Sequence, residues 1–395
     1  MSENTKSLLR NVCKYVYYAG AGNHWYEDLY RETIPYRMYT TISFSVYTIM
    51  IFLENSAALF GVFPDVEKNS AVMFAAIHDI VLPKMYLLLY HKDSIRKLNY
   101  EMATVGERFE EADVMKKQNR KTKIGIILYV ISVYLSLLAY GVESTRKVLY
   151  EKAPFYTVVT YLPHYDDNSS VASFCRVFFY VTWLYMMLPM MSADCMPITH
   201  LIIMTNKFIT LCHHFERIRA QHDTDVLTIG NKEALEKLKA NCLEGIRMHQ
   251  KLLHLADEMN RVFGIIMSLQ VCESSAVAVL LLLRLALSPH MDLTNAFMTY
   301  TFVGSLFLLL ALNLWNAGEM THQASLLSNA IFNCGWHLSA VERSDVRRLV
   351  LIGSAQAQKP LILKAFGIQD LSYGTFVSVA RMTYSIFAVF YQRGE

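Results

Sequence analysis

Apolar runs long enough to cross a bilayer recur seven times along the chain, at 39–63, 70–90, 124–142, 177–206, 262–287, 293–318 and 371–392. A helix needs about 20 mostly apolar residues to span the hydrocarbon core. The runs are continuous, whereas the strands of a membrane barrel alternate over about 10 residues. The pattern therefore predicts an all-α membrane protein with seven transmembrane helices. The connections are patterned too. In 207–261, Leu235, Leu238, Cys242, Ile246, His249 and Leu253 recur at helical spacing while charges alternate in sign. This predicts long amphipathic helices extending the fourth and fifth spans, with a break near Thr228-Ile229-Gly230. In 319–370, the stretch 325–336 is helical in pattern, with Asn333-Cys334-Gly335 as an interruption. A second helix is expected over 345–356, ended by Lys359-Pro360. The first 36 residues hold no apolar stretch of signal-peptide type, so the first span itself is expected to direct insertion. There is no internal repeat or low-complexity tract, and 1–395 reads as one domain.

Composition narrows the class. The chain is 53% hydrophobic and 18% charged, where a soluble protein averages about 25% charged. A net charge of only +3 excludes a nucleic-acid binder, and the hydrophobicity excludes disorder. The 7 cysteines are scattered and imply no disulfide framework. The charge is unevenly placed: 28 of the 37 Lys and Arg fall in 1–37, 91–123, 207–261 and 319–370, against 5 in the alternate segments. Basic loops favour the cytoplasm, so the N-terminus is expected inside and the C-terminus outside. The sequon Asn168-Ser169-Ser170 lies in the 143–172 loop assigned outside, which makes Asn168 a candidate glycosylation site. This topology is the inverse of a G-protein-coupled receptor. The third span also lacks an acidic-Arg-aromatic end and the seventh lacks Asn-Pro, so no G protein is required.

Catalytic and cofactor motifs are missing: no Gly-rich phosphate loop, Cys-x-x-Cys, His-Glu-x-x-His or Gly-x-Ser-x-Gly occurs. No enzyme, cofactor or metal site is expected. The five histidines of 207–261 (His213, His214, His222, His249, His254) read as solvated or packed helix residues. Charges within the spans are single. Glu54, Arg176 and Arg284 lie near span ends, where snorkelling is the ordinary reading. Asp79 and Lys84 sit deeper but make poor pairing geometry around Pro83, while Asp194 and Glu273 are expected to face the bundle interior. The outer halves of the spans are rich in aromatics and Met. Candidate ligand-binding residues are Met73, Phe74, Ile77 and His78 in the second span and Tyr134, Leu135, Leu138 and Ala139 in the third. Phe179, Trp183 and Met187 in the fourth and Phe297, Tyr300 and Val303 in the sixth join them. Pockets for small molecules are mostly apolar with a few polar groups, and Met adapts to varied shapes. Tyr300, His78 or Tyr134 would offer a hydrogen bond. For each residue singly, helix packing or lipid contact competes with this reading and outweighs it.

The C-terminal third resembles the insect odorant receptor family. The resemblance rests on Gly318-Glu319, His322-Gln323-Ala324-Ser325, Ala330-Ile331-Phe332 and Trp336, then Arg347-Arg348, Gln358-Lys359-Pro360 and Ala365-Phe366-Gly367. Leu371-Ser372, Phe376 and Thr383-Tyr384-Ser385 complete it, in order over about 75 residues. The resemblance implies a subunit of a tetrameric, odorant-gated, non-selective cation channel in the plasma membrane of a sensory neuron dendrite. Each subunit would give its last helix, 371–392, to a central pore. The cytoplasmic segments 207–261 and 319–370 would form the anchor that holds the tetramer, and a small volatile odorant would bind in the outer half of the bundle. The family's co-receptor carries an insertion between the fourth and fifth spans that is missing here. The chain therefore resembles an odorant-tuned subunit that assembles with the co-receptor as a heterotetramer.

If the last span lines a pore, Thr383, Phe387 and Tyr391 fall on one helix face at i, i+4 and i+8. In the family the residue four after this Thr is an apolar gate, which maps onto Phe387. Phe is bulkier than the aliphatic gates expected there. Arg381 points about 120° away from Phe387, towards a subunit contact or the inner vestibule. Two rivals remain open. A gustatory receptor subunit would share the fold, and a secondary transporter would show matched broken helices that are not seen.

Overall fold

The computed structural model describes residues 4–286, 293–339 and 344–393. Among the described residues there are ten α-helices: α1 (Thr5–Tyr18), α2 (Ile34–Phe60), α3 (Asp65–Tyr90), α4 (Lys92–Thr104), α5 (Ala112–Arg146), α6 (Ser170–Ile229), α7 (Asn231–Ala286), α8 (Leu293–Phe332), α9 (Ser344–Ala357) and α10 (Tyr373–Arg393). The fold class expected from the apolar runs is the one observed. Six described helices, α2, α3 and α5 to α8, are long and apolar enough to cross a membrane. The seventh expected span is α10, whose 21 residues are enough in length but more polar in composition. Leu287, the expected end of the fifth span, and the side chain of Arg284 lie outside the described residues.

The long helices are the main departure from the span boundaries. α6 runs for 60 residues, roughly 90 Å at 1.5 Å per residue, against about 30 Å for the bilayer core. Both α6 and α7 project well beyond any membrane as continuous helices. They meet where the break was expected, at Gly230, whose φ of +83° is a conformation that side chains with a Cβ rarely adopt. The other breaks also fall as read: α8 ends at Phe332 just before Asn333, and α9 occupies Ser344–Ala357. A two-stranded hairpin, β1 (Lys364–Ala365) antiparallel to β2 (Gln369–Asp370), leads into α10.

The interior divides into two large apolar clusters. One is the base. It gathers Leu8 and Trp25 from the N-terminal segment, Ile95 and Met102 from α4, Phe208 and Phe215 from α6, and Leu252 and Phe263 from α7, with Ile331, Val350 and Leu371. All four basic segments thus meet at one end of the molecule. The second cluster fills the bundle of α2, α3, α5, α6, α7 and α8 with residues such as Phe74, Tyr129, Trp183, Met187 and Leu306. At its far end a small cluster joins Ala57 and Ala71 to Val159 of the 143–172 loop. Asn168 is exposed there, one residue before the Ser169 side chain that caps α6.

The polar N-terminal segment is built into the base. Trp25 is fully buried, and its carbonyl accepts from Arg96 Nε at 3.0 Å. Asn99 Nδ2 donates to the His24 carbonyl at 2.8 Å, and Lys92 pairs with Glu32 at 2.8 Å. Burial lowers the pKa of His24 to about 4, so the ring is held neutral between the carbonyls of Gly22 and Leu88. The sign is definite, because the unfolded chain takes up this proton near pH 6.5 and the folded one does not. Stability contributed by neutral His24 is whole above pH 6.5 and is lost as the pH falls towards about 4. The expected loss reaches about 3 kcal/mol. Thermal unfolding of the purified protein between pH 7 and about pH 4 measures it, and His24→Asn should flatten that slope. An unchanged slope would show that His24 does not carry it.

Candidate ligand cavity and its charged floor

The bundle core holds a small apolar cavity of about 40 Å³, tighter than the usual small-molecule site. α3 gives it Phe74, Ile77 and His78; α5 gives Tyr129, Val133, Ser136, Leu137 and Tyr140. Trp183, Met187 and Met190 come from α6, Glu273 from α7, and Phe302, Ser305, Leu306 and Leu309 from α8. The spacings show why these residues meet. Phe302, Ser305, Leu306 and Leu309 make one helix face, as do Val133, Ser136, Leu137 and Tyr140. Rings form much of the wall: Phe74 meets Trp183 edge-on at 5.1 Å and Tyr140 at 5.8 Å.

A buried ionic cluster lies on the side of the cavity nearer the base. Lys84 Nζ is 2.9 Å from Asp194 Oδ1 and 2.5 Å from Glu273 Oε2, and it also donates to Gln270 Oε1. Tyr129 donates its hydroxyl to Asp194 Oδ2 at 2.8 Å. The Lys84 side chain is 0% exposed. One cation therefore answers two carboxylates in the interior, where a charge left without its counter-charge keeps its desolvation cost. A second relay runs across the cavity wall. Trp183 Nε1 donates to His78 Nε2 at 3.1 Å, which puts the ring proton on Nδ1, and Nδ1 lies 2.5 Å from Glu54 Oε2.

These contacts revise several charge assignments. Lys84 pairs with Asp194 and Glu273, while Asp79 accepts from Asn55 Nδ2 at 2.7 Å. Glu54 does not snorkel: it is fully buried against His78, because α2 and α3 bring the two side chains together in the core. Arg176 is also buried rather than snorkelling. Its Nη2 donates to the carbonyls of His164 and Tyr165, at 3.0 and 3.2 Å, and its guanidinium lies 4.5 Å from the centre of the Tyr156 ring. Asp194 and Glu273 face the interior, as expected. Among the described residues, no group of three His, Cys, Asp or Glu is placed to hold a metal ion. His214 packs against Phe109 with the rings tilted, and His249 is buried.

Of the residues proposed from sequence to line a pocket, Phe74, Ile77, His78, Trp183 and Met187 meet at the cavity. Met73 and Val303 are buried in the surrounding core. Tyr134, Ala139 and Phe179 are half-buried, and the Tyr134 hydroxyl is used on the Leu184 carbonyl at 3.3 Å. Leu135, Leu138, Phe297 and Tyr300 are exposed on the outside of the bundle, so Tyr300 is not positioned to reach a ligand inside it. On α5 and α8 the lining is the face that carries Ser136 and Ser305, two of the polar positions within those apolar runs.

The cavity is tied to the last helix through α7 and α8. On α7, Ser268 lies five residues from Glu273 and its Oγ accepts the Phe366 N–H at 2.7 Å, which holds the turn before α10. On α8, Tyr373 donates to Glu319 Oε2 at 2.6 Å and packs on Trp315 at 5.0 Å. A Cβ at Gly318 would come within 3.0 Å of the Tyr373 ring, so glycine permits this contact. Of the stripe expected on α10, Thr383 is 1% exposed and turned into the chain's own bundle, its hydroxyl on the Val379 carbonyl at 2.8 Å. The stripe is therefore not a uniformly outward face. Phe387 is half-buried, and the side chain of Tyr391 lies outside the described residues. Arg381 and Tyr384 are exposed.

Comparison with known proteins places this architecture. The profile of the family described as 7tm Odorant receptor matches residues 66–384. Similar sequences include the putative odorant receptor 85d of Drosophila melanogaster, 24% identical over 179 residues, covering 45% of this chain and 41% of that protein. Odorant receptor 85b of the same organism is 26% identical over 153 residues, 36% of each chain. The matched stretch thus spans well under half the length of these two relatives. The structure of the insect olfactory receptor OR5 from Machilis hrabei in complex with eugenol superposes with a TM-score of 0.80 at 14% identity, covering 97% of both chains. A second structure of the same receptor gives a TM-score of 0.79 with the same coverage.

Proposed function

Because the chain belongs to the 7tm odorant receptor family, we propose that it is an odorant-tuned subunit of a ligand-gated, non-selective cation channel that assembles with the family's co-receptor. The observation that carries this reading is the enclosed aromatic and Met-lined cavity, joined by two continuous helices to the start of α10. A small volatile ligand suits the polarity of that site, and the flexible Met187 and Met190 side chains in its wall can give way to admit one. The related fold from Machilis hrabei was solved with eugenol, a compact organic molecule. The family match favours the odorant over the gustatory branch. The continuous spans lack the matched helix breaks of a transporter.

In this reading the base, with 28 of the 37 basic residues belonging to its segments, sits in the cytoplasm of a sensory dendrite beneath the plasma membrane, and Asn168 faces outside. The base packs the subunits of a heterotetramer together. α10 lines the shared pore, with Phe387 as the apolar gate. The odorant binds the open arrangement more tightly and shifts the population towards it. Displacements of α7 and α8 at the cavity reach α10 through Ser268–Phe366 and Glu319–Tyr373. The test is co-expression with the co-receptor and recording of odour-evoked current. Inward cation current to some members of a broad volatile panel is expected. Silence across that panel, with the subunit at the cell surface, would refute the reading.

A further inference from the structure

The cavity walls carry acceptors but few available donors. Six lining side chains own an O–H or N–H: His78, Tyr129, Ser136, Tyr140, Trp183 and Ser305. At least five of them spend it elsewhere. His78 donates to Glu54, Trp183 to His78 and Tyr129 to Asp194. Ser136 donates to the Ser132 carbonyl at 3.1 Å, and Ser305 to the Phe302 carbonyl at 2.7 Å. Such back-bonded serines keep lone pairs free to accept. Glu273 is an acceptor only, with Oε2 on Lys84. Charge has the same sense: the buried carboxylates Asp194 and Glu273 share the ammonium of Lys84, and Glu273 lines the cavity. A donor entering this space meets the acceptors Glu273, Ser136 and Ser305. A ligand with acceptors alone would lose water without replacing its hydrogen bonds.

We infer that the cavity selects compact apolar ligands whose polar group is a hydrogen-bond donor, an alcohol or phenol O–H, over ethers and ketones of the same skeleton. This rests on the odorant-binding reading above and names the ligand class of that site. Glu273, Ser136 and Ser305 are the acceptors that would receive the donor.

The test uses matched series: linear and aromatic alcohols, their methyl ethers and the corresponding ketones. They are applied to the channel co-expressed with the co-receptor, and in parallel to the purified chain in a thermal-shift assay. The alcohols should be about tenfold more potent than their ethers and ketones, and should raise the melting temperature more. The combined variant Ser136→Ala and Ser305→Ala removes two acceptors without unsatisfying any side chain, and should shrink the alcohol advantage several-fold. Glu273→Gln puts an amide N–H into the cavity and should bring ketones up to or above the alcohols. Ethers or ketones matching the alcohols on the wild-type chain, in current and in thermal shift, would overturn the inference. An alcohol-selective thermal shift without current would keep the ligand class and refute the channel reading instead.

Discussion

Lys84→Met is expected to leave almost no folded protein at the cell surface. The substitution keeps the length and apolar stem of the side chain but removes the cation paired with Asp194 and Glu273, whose carboxylates lie 2.9 and 2.5 Å away. Breaking a buried pair from one side costs about 3–5 kcal/mol, because the abandoned charge keeps its desolvation penalty. Here two charges are abandoned, against a total stability of about 5–15 kcal/mol for a typical domain. Surface labelling and size-exclusion of the solubilised protein measure the loss. Neutralising the partners as well, with Asp194→Asn and Glu273→Gln in the Lys84→Met background, should recover most of the folded protein, since an uncharged core of the same shape is tolerated. Lys84→Met at the wild-type surface level would show that the cluster does not hold the bundle together.

The same cluster marks where sequence reasoning stops. Each of its members could be recognised as an intramembrane charge, but Lys84 finds its partners 110 and 189 residues away, through α6 and α7. No local spacing encodes that pairing. Glu54 and Arg176 failed the simpler reading for a related reason. Nearness to a span end permits snorkelling, but the packing of α2 on α3 and of the outer loop on α6 gave both residues buried partners instead.

The helices themselves were legible because continuous apolar runs and turn-forming residues are local signals. Gly230 and the 333–335 interruption fell where composition broke the period. The inward face was harder to read. In a membrane bundle both the lipid side and the core side are apolar, so periodicity alone does not say which stripe points in. On α5 the choice of Leu135 and Leu138 over Ser136, Leu137 and Tyr140 selected the outer side, and on α8 Phe297 and Tyr300 did the same. The serine-bearing face was the usable clue: small polar groups in an apolar span turn away from lipid.

Phe387→Ala, in the complex with the co-receptor, is expected to raise the odour-independent current by roughly tenfold. Successive side chains rotate by about 100° around a helix, so Phe387 lies about 40° from Thr383 and about 60° from Tyr384. Thr383 is buried within the chain and Tyr384 is exposed, which places Phe387 on the edge between the packed side of α10 and its free side. A ring contributed from that edge by each subunit would meet near a shared axis. Apolar rings at a constriction close a pore by expelling water, and loss of the phenyl group widens the constriction and lets water in. Thr383→Ala provides the contrast. Its hydroxyl is bound to the Val379 carbonyl of its own helix, so its removal should leave basal current and ion selectivity as they were. Wild-type basal current and permeability ratios for Phe387→Ala would take this residue out of the pore. A change at Thr383 with none at Phe387 would turn the pore-lining face of α10 by about 40° towards Thr383.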